Sequence, residues 1–206
     1  MRTEPLILMG AGGHARVVID ALHCLGDNDN LLLCSDDPAQ VGQFILGHMV
    51  VLLDRQQVAG ALFHICVGSV SSRQQLHLRL LAAGARPLTI AHPGAVLARS
   101  AQIAPGAFLA AGAIVSAEAA IGQSVIVNHT AVVDHQSSVA DFGHIAPGAT
   151  VAGNVRIGEA TLIGAGANVL PGLEVGRNCV LAAGAVLTRS MPDGQVFAGV
   201  PARRMK

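Results

Sequence analysis

Residues 127–157 read VNHTAVVDHQSSVADFGHIAPGATVAGNVRI, and stepping by six from Val127 meets Val133, Val139, Ile145, Val151 and Ile157. A period of six matches neither the 3.6 of a helix nor the 3.5 of a coiled coil; it fits a short strand plus a corner, three of which close one coil. The phase extends outward through Leu97, Ile103, Leu109, Val115 and Ile121 on one side and Ile163, Val169, Val175, Leu181 and Leu187 on the other, sixteen aliphatic positions in succession. Two residues before these hits the side chain is mostly small, as at Ala107, Ala113, Ala131, Gly143 and Ala149, and glycine often follows, as at Gly122, Gly158, Gly164 and Gly176. Nothing is inserted between Leu97 and Leu187. The pattern predicts a left-handed parallel β-helix over residues 94–206, a three-sided prism in which Leu97, Val115, Val133, Val151, Val169 and Leu187 stack along one inner edge. Its walls carry few charges, which favours self-association, most simply as a homotrimer.

The rest of the composition agrees with a repetitive core of small and β-branched side chains: 206 residues, no Trp or Tyr, 24 Gly and 51% hydrophobic residues. Thirteen Lys+Arg balance thirteen Asp+Glu with no cluster of one sign, so a nucleic-acid or anionic-lipid footprint is not expected. The first apolar run, Leu6 to Met9, is too short for a signal core or a membrane span, and the expected location is cytoplasmic. Cys24, Cys34, Cys66 and Cys179 are scattered without C-x-x-C spacing and read as small buried hydrophobes rather than disulfide partners or zinc ligands.

Residues 1–93 have a different rhythm. Leu6–Met9 reads as a buried strand, followed by Gly10-Ala11-Gly12-Gly13-His14 and an amphipathic helix ending at Gly26. A second strand, Leu31 to Cys34, ends at Ser35-Asp36-Asp37; a third, Phe63 to Val67, ends at Gly68; Ser71 or Ser72 then caps a helix running through Leu76 and Leu80 to Gly84. Such alternation predicts a small Rossmann-like α/β domain with a parallel sheet, whose ligand lies at the C-terminal ends of the strands, where Gly12, Gly13, His14 and Gly68 fall. Gly10, Gly12 and Ala15 satisfy a loose G-x-G-x-x-A pattern, so a dinucleotide and a bare strand-to-helix turn are both open readings.

His129, His135 and His144 lie off the aliphatic phase, at corners or on outer walls of the prism. A prism zinc site pairs its histidines at a spacing of five, whereas these stand six and nine apart, and no metal is expected. An imidazole with a pKa near 6.5 suits removal of a proton from an attacking amine or hydroxyl, with Asp134 or Asp141 available to fix its tautomer. No Ser or Cys nucleophile stands beside them, which is consistent with direct transfer from a thioester.

Taken together, Gly10 to His14, His92-Pro93, Val133-Asp134-His135, Asp141 to Gly148 and the ending Gly199-Val200-Pro201-Ala202 closely resemble the sugar O-acyltransferase family of sialic acid O-acetyltransferases and UDP-4-amino-sugar or GDP-perosamine N-acetyltransferases, over nearly the whole chain. The resemblance implies acetyl-CoA as co-substrate, no covalent intermediate, His135 as general base and His144 as a contact to acetyl-CoA at a seam between prisms. It further implies backbone contacts to pantetheine from Gly153, Ala165 and Ala183, with Pro201, Arg203 and Arg204 near the nucleotide end of the cofactor. Gly12, Gly13 and His14, with Asp36 and Asp37, would hold a nucleotide-linked aminosugar. Family members often carry an acidic residue directly after the catalytic histidine; here it is Gln136, and Asp134 is the nearest substitute. O-acetylation of a sialic acid or another sugar hydroxyl, and a non-catalytic β-helix or nucleotide-sugar-binding role, are the alternatives to N-acetylation.

Overall fold

The computed structural model describes residues 4–27 and 29–205, and the chain divides into two compact units, Met1–Pro93 and Gly94–Lys206. In the first unit, β1 (Leu6–Met9) is wholly buried and pairs in parallel with β2 (Leu31–Cys34) on one side and β5 (Leu62–Ile65) on the other. β3 (Phe44–Ile45) and β4 (His48–Val51) form a hairpin that extends the sheet from β2, and β6 (Arg86–Pro87) extends it from β5. Leu46 and Gly47, the two hairpin residues, both have positive φ, as a primed turn requires. The order β3-β4-β2-β1-β5-β6 reverses direction beside β1, which opens a crevice at the C-terminal ends of β1, β2 and β5. Helix α1 (Gly13–Leu25) turns its Ala15, Val18, Ile19 and Leu22 stripe inward and stops at Gly26 in the left-handed conformation. Helix α2 spans Val70–Ala82, and β7 (Ile90–Ala91) packs against α1.

Three sequence expectations need adjustment here. The third strand is Leu62–Ile65; Cys66 still donates its N–H to the Met9 carbonyl at 2.8 Å, and Cys66 and Val67 line the crevice. The residue preceding α2 is Ser69, whose hydroxyl lies 3.3 Å from that of Ser71 rather than on a helix N–H; Ser71 and Ser72 sit inside the first turn. Cys34, Cys66 and Cys179 are buried as expected, but Cys24 is exposed on α1.

The second unit is a three-walled parallel β-helix. Two-residue strands recur every six residues, and the chain visits three walls in rotation: a first holding 96–97, 114–115, 132–133, 150–151, 168–169 and 186–187; a second holding 102–103, 120–121, 138–139, 156–157 and 174–175; and a third holding 108–109, 126–127, 144–145, 162–163 and 180–181. Residues eighteen apart are register partners, Val115 with Val133 and Val133 with Val151 for example. Every aliphatic of the phase from Leu109 to Leu187 is buried, whereas Leu97 in the first coil is 38% exposed because no coil covers it from before.

Sequence periodicity alone did not reveal what makes the corners. One residue in six, from Gly106 through Gly112, Glu118, Ser124, Thr130, Gln136, Phe142, Gly148, Asn154, Ala160, Gly166, Gly172 and Asn178 to Gly184, has φ between 48° and 80°. A left-handed residue at each corner is what a type II turn demands. The signal is masked in the sequence because more than half of these positions are not glycine. Among the described residues no helix is long and apolar enough to cross a membrane.

Candidate active site

The crevice of the first unit gathers all six residues singled out in that half. Gly12, Gly13, His14, Asp36, Asp37 and Gly68 line one open pocket of about 400 Å³ together with Gly10, Ser35, Gln40 and Ser72. Gly10 (φ +113°) must be glycine: a Cβ there would lie 2.6 Å from Val67 Cγ2 and 3.1 Å from the Cys66 carbonyl oxygen. The first turn of α1 opens on the pocket with backbone N–H groups and no acidic side chain, an arrangement suited to an anion. Arg79 engages both oxygens of Asp36, at 2.7 and 3.1 Å, and Asp37 Oδ1 accepts the Ala39 N–H at the start of a short 3-10 turn. Both carboxylates therefore shape the rim, and Ser35 Oγ, which accepts the Asp37 N–H and donates to Gln40 Oε1, braces it.

Sequence reading missed what lies beneath. Arg73 is 1% exposed and donates to the carbonyls of Gly68 at 2.8 Å and Val67 at 3.3 Å, so a buried guanidinium fixes the loop that closes the pocket. Burial holds its pKa down to about 10. His64, also buried, has its pKa lowered to about 4, mainly by desolvation, although its Nδ1 lies 2.9 Å from the Leu88 carbonyl. His77 on α2 is buried as well, and nothing in the sequence marks these Arg and His positions as buried.

In the prism, His135 sits exposed at the corner between the first and second walls, in the column Ala117, His135, Gly153, Pro171. Its ring lies over Gly153: a Cβ at residue 153 would be 2.5 Å from both Cε1 and Nε2. Asp134 Oδ1 accepts the backbone N–H of His135 at 2.7 Å, so that carboxylate holds the corner rather than the ring. The ring's contact is instead with Gln136, whose Oε1 is 3.4 Å from Nδ1. Asp141 accepts the Gln123 N–H at 2.8 Å and so braces the next corner.

The other residues assigned to the cofactor occupy a different part of the prism. His144 projects from the third wall, between Ile126 and Leu162, with Nε2 accepting from Asn128 Nδ2 at 3.2 Å. Ala165 and Ala183 lie at the corner between the third and first walls, in the column Ala111, His129, Pro147, Ala165, Ala183. Pro201 follows the strand Val196–Ala198 that ends the third wall, and Arg203 and Arg204 pair antiparallel with that strand. Within one prism, therefore, His135 and Gly153 share one edge, His144, Ala165 and Ala183 stand on or beside the third wall, and the first wall separates the two groups. His129, two coils before Ala165 in the same column, was not assigned a role from sequence; the eighteen-residue register would have found it.

Comparison with known proteins adds to this geometry. Residues 5–80 match the PglD N-terminal domain family and residues 154–189 match the bacterial transferase hexapeptide (six repeats). A solved structure of a variant perosamine N-acetyltransferase from Caulobacter crescentus, in complex with CoA and GDP-perosamine, is 31% identical with a TM-score of 0.91, covering 100% of this chain and 98% of that one. The acetyltransferase domain of PglB from Neisseria gonorrhoeae, in complex with acetyl coenzyme A, is 33% identical with a TM-score of 0.91, covering 99% of this chain and 100% of that one. A curated 2,3,4,5-tetrahydropyridine-2,6-dicarboxylate N-acetyltransferase from Staphylococcus aureus is 39% identical over 71 residues, and the match spans 31% of this chain and only 30% of the length of that relative. With both halves matched end to end at this identity, the chain belongs to the left-handed β-helix, hexapeptide-repeat sugar acetyltransferases that carry a PglD-type N-terminal domain.

Proposed function

We propose that the chain transfers an acetyl group from acetyl-CoA to the amino group of a nucleotide-linked aminosugar, with His135 as general base and no covalent intermediate. The observation that carries this reading is the corner itself: an exposed imidazole laid over Gly153, with Gln136 Oε1 on its Nδ1 side. An Nδ1–H held toward that oxygen leaves the Nε2 lone pair as the proton acceptor. The acceptor nitrogen attacks the thioester carbonyl while Nε2 takes its proton. The tetrahedral intermediate then collapses, the C–S bond breaks, and the imidazolium returns the proton to the departing thiolate. In this scheme Asp134 acts through the backbone, by fixing the corner on which His135 stands.

The nucleotide end of the acceptor suits the first unit's crevice, where helix N–H groups of Gly13 and His14 face the pocket beside Gly12, Asp37 and Gly68. Acetyl-CoA suits the third wall, with His144, Ala165, Ala183, Pro201, Arg203 and Arg204 as its contacts there, and Gly153 would meet it from the His135 edge. Because the base and the third-wall group are on separate parts of one prism, a complete site calls for a second copy whose third wall meets the His135 edge; closing that contact threefold gives a homotrimer. Such an enzyme would act in the cytoplasm, in glycan biosynthesis. The test is thiol release from acetyl-CoA with UDP- and GDP-linked aminosugars, together with light scattering of the free protein. Turnover with an amino acceptor and a trimeric mass are expected; turnover with hydroxyl acceptors alone, or a monomer at full activity, overturns the reading.

A further inference from the structure

His92 belongs to a motif that the acetyltransfer reading leaves unused. It follows β7, which packs against α1, and α1 presents Asp20 and Cys24 one turn apart on its solvent side. One donor atom from each of Asp20, Cys24 and His92 lies within 4.8 Å of both others. We propose that these three side chains form an open, three-ligand site for a thiophilic divalent cation, Zn2+ by choice, between α1 and the segment after β7.

The donor set is the argument. A thiolate, an imidazole and a carboxylate are the ligand types zinc takes, with bonds of about 2.0–2.3 Å. Around a tetrahedral ion those bonds put donors roughly 3.3–3.6 Å apart, so the three groups need to close by only about 1 Å through side-chain rotation. Convergence also separates this from a nucleophilic relay. In a Cys-His-Asp relay the carboxylate contacts the far nitrogen of the imidazole and stays away from sulfur. Here carboxylate, sulfur and nitrogen are mutually close, as donors around one ion must be. Cys24 is the exposed cysteine of the four, so an ion can reach it, and a fourth position is left for water.

The experiment uses the full chain and Co2+ as a spectroscopic stand-in. Titration is expected to produce a near-ultraviolet thiolate-to-cobalt charge-transfer band at one equivalent, with Zn2+ displacing Co2+ and slowing alkylation of Cys24. Cys24→Ser should abolish the band, and Asp20→Asn should weaken affinity by at least roughly the 10–100-fold that loss of an outer-shell partner already costs. A second candidate locus controls the result, since His23 Nε2 and His48 Nε2 lie 3.3 Å apart. Binding without a charge-transfer band, binding unchanged in Cys24→Ser, or binding lost in His48→Gln would each overturn the proposal. So would Cys24 alkylation that is fast and indifferent to Zn2+. Acetyl transfer is read separately and is expected to be the same with or without the ion, so failure here leaves the acetyltransfer reading untouched.

Discussion

In the prism, Ala117, His135, Gly153 and Pro171 share an edge because they are eighteen residues apart; in the α/β unit, Gly12, Asp37 and Gly68 share a pocket because three parallel strands end side by side. The first kind of neighbourhood is arithmetic. Once the phase of Val133 is known, the wall or corner of every later residue as far as Leu187 follows, and so does the identity of what lies above and below it. The second kind depends on strand order and on packing beneath the sheet, which local sequence encodes only weakly. A regular solenoid thus exposes its site to inspection, while a doubly wound sheet exposes the loops that form a site and hides what holds them in place.

The sharpest way to break that contrast is to change the count. Deleting one residue from the corner after Val151 shifts every following aliphatic off the inner phase, from Ile157 to Leu187, and should abolish cooperative folding of the prism, seen as loss of its thermal transition. Deleting one residue from the Leu46–Gly47 turn disturbs only an edge hairpin and should leave a folded chain. If both deletions are tolerated alike, register does not govern the prism.

Substitution at the edge comes next. His135→Ala should lower turnover by about 10²–10⁴-fold with little change in melting temperature, because the side chain is exposed. Gly153→Ala, which forces the imidazole aside, should cost roughly 10²-fold in kcat while leaving the acceptor's KM largely alone. Equal losses from Ala117→Ser, one coil above, would deny the edge any special role.

For the α/β unit the comparable probe is pH. His64 titrates near 6.5 when unfolded and, held by burial, at about 4 when folded, so between those values the unfolded chain binds more protons. Stability should therefore be full above about pH 6.5 and fall as pH drops toward 4, by about 3 kcal/mol in total. Denaturant melts of the unit across that range, compared with His64→Gln, check it: the variant should show a flatter slope, and an unchanged slope would assign the effect elsewhere. The smallest expected change is on the prism surface, where Arg156 and Glu174 pair at 2.7 Å with both side chains largely exposed. Arg156→Ala should move stability by no more than about 0.5 kcal/mol in chemical melts.

These contrasts account for what was legible in the sequence. The phase of sixteen aliphatics predicted the walls, and the motif at Gly10 to His14 with the strand ends predicted the lining of the crevice. The hairpin Phe44–Val51 escaped because its residues alternate poorly and Phe44 and Met49 point outward, 69% and 50% exposed. Arg73 and His64 escaped because a buried polar group is declared only by its partners, and those partners are backbone carbonyls. The role of Gln136 was half visible: its place after His135 could be read, but not that it occupies a left-handed corner with its amide oxygen toward the ring.

The stacked corners also amount to a graduated scale. Successive members of the column Ala111, His129, Pro147, Ala165 and Ala183 are one strand spacing apart, about 4.8 Å, and each offers small or flat chemistry to whatever lies along the edge. An extended molecule resting there is measured in whole coils, so its preferred length can change only in steps. Duplicating eighteen residues would add one graduation and leave every other mark where it was.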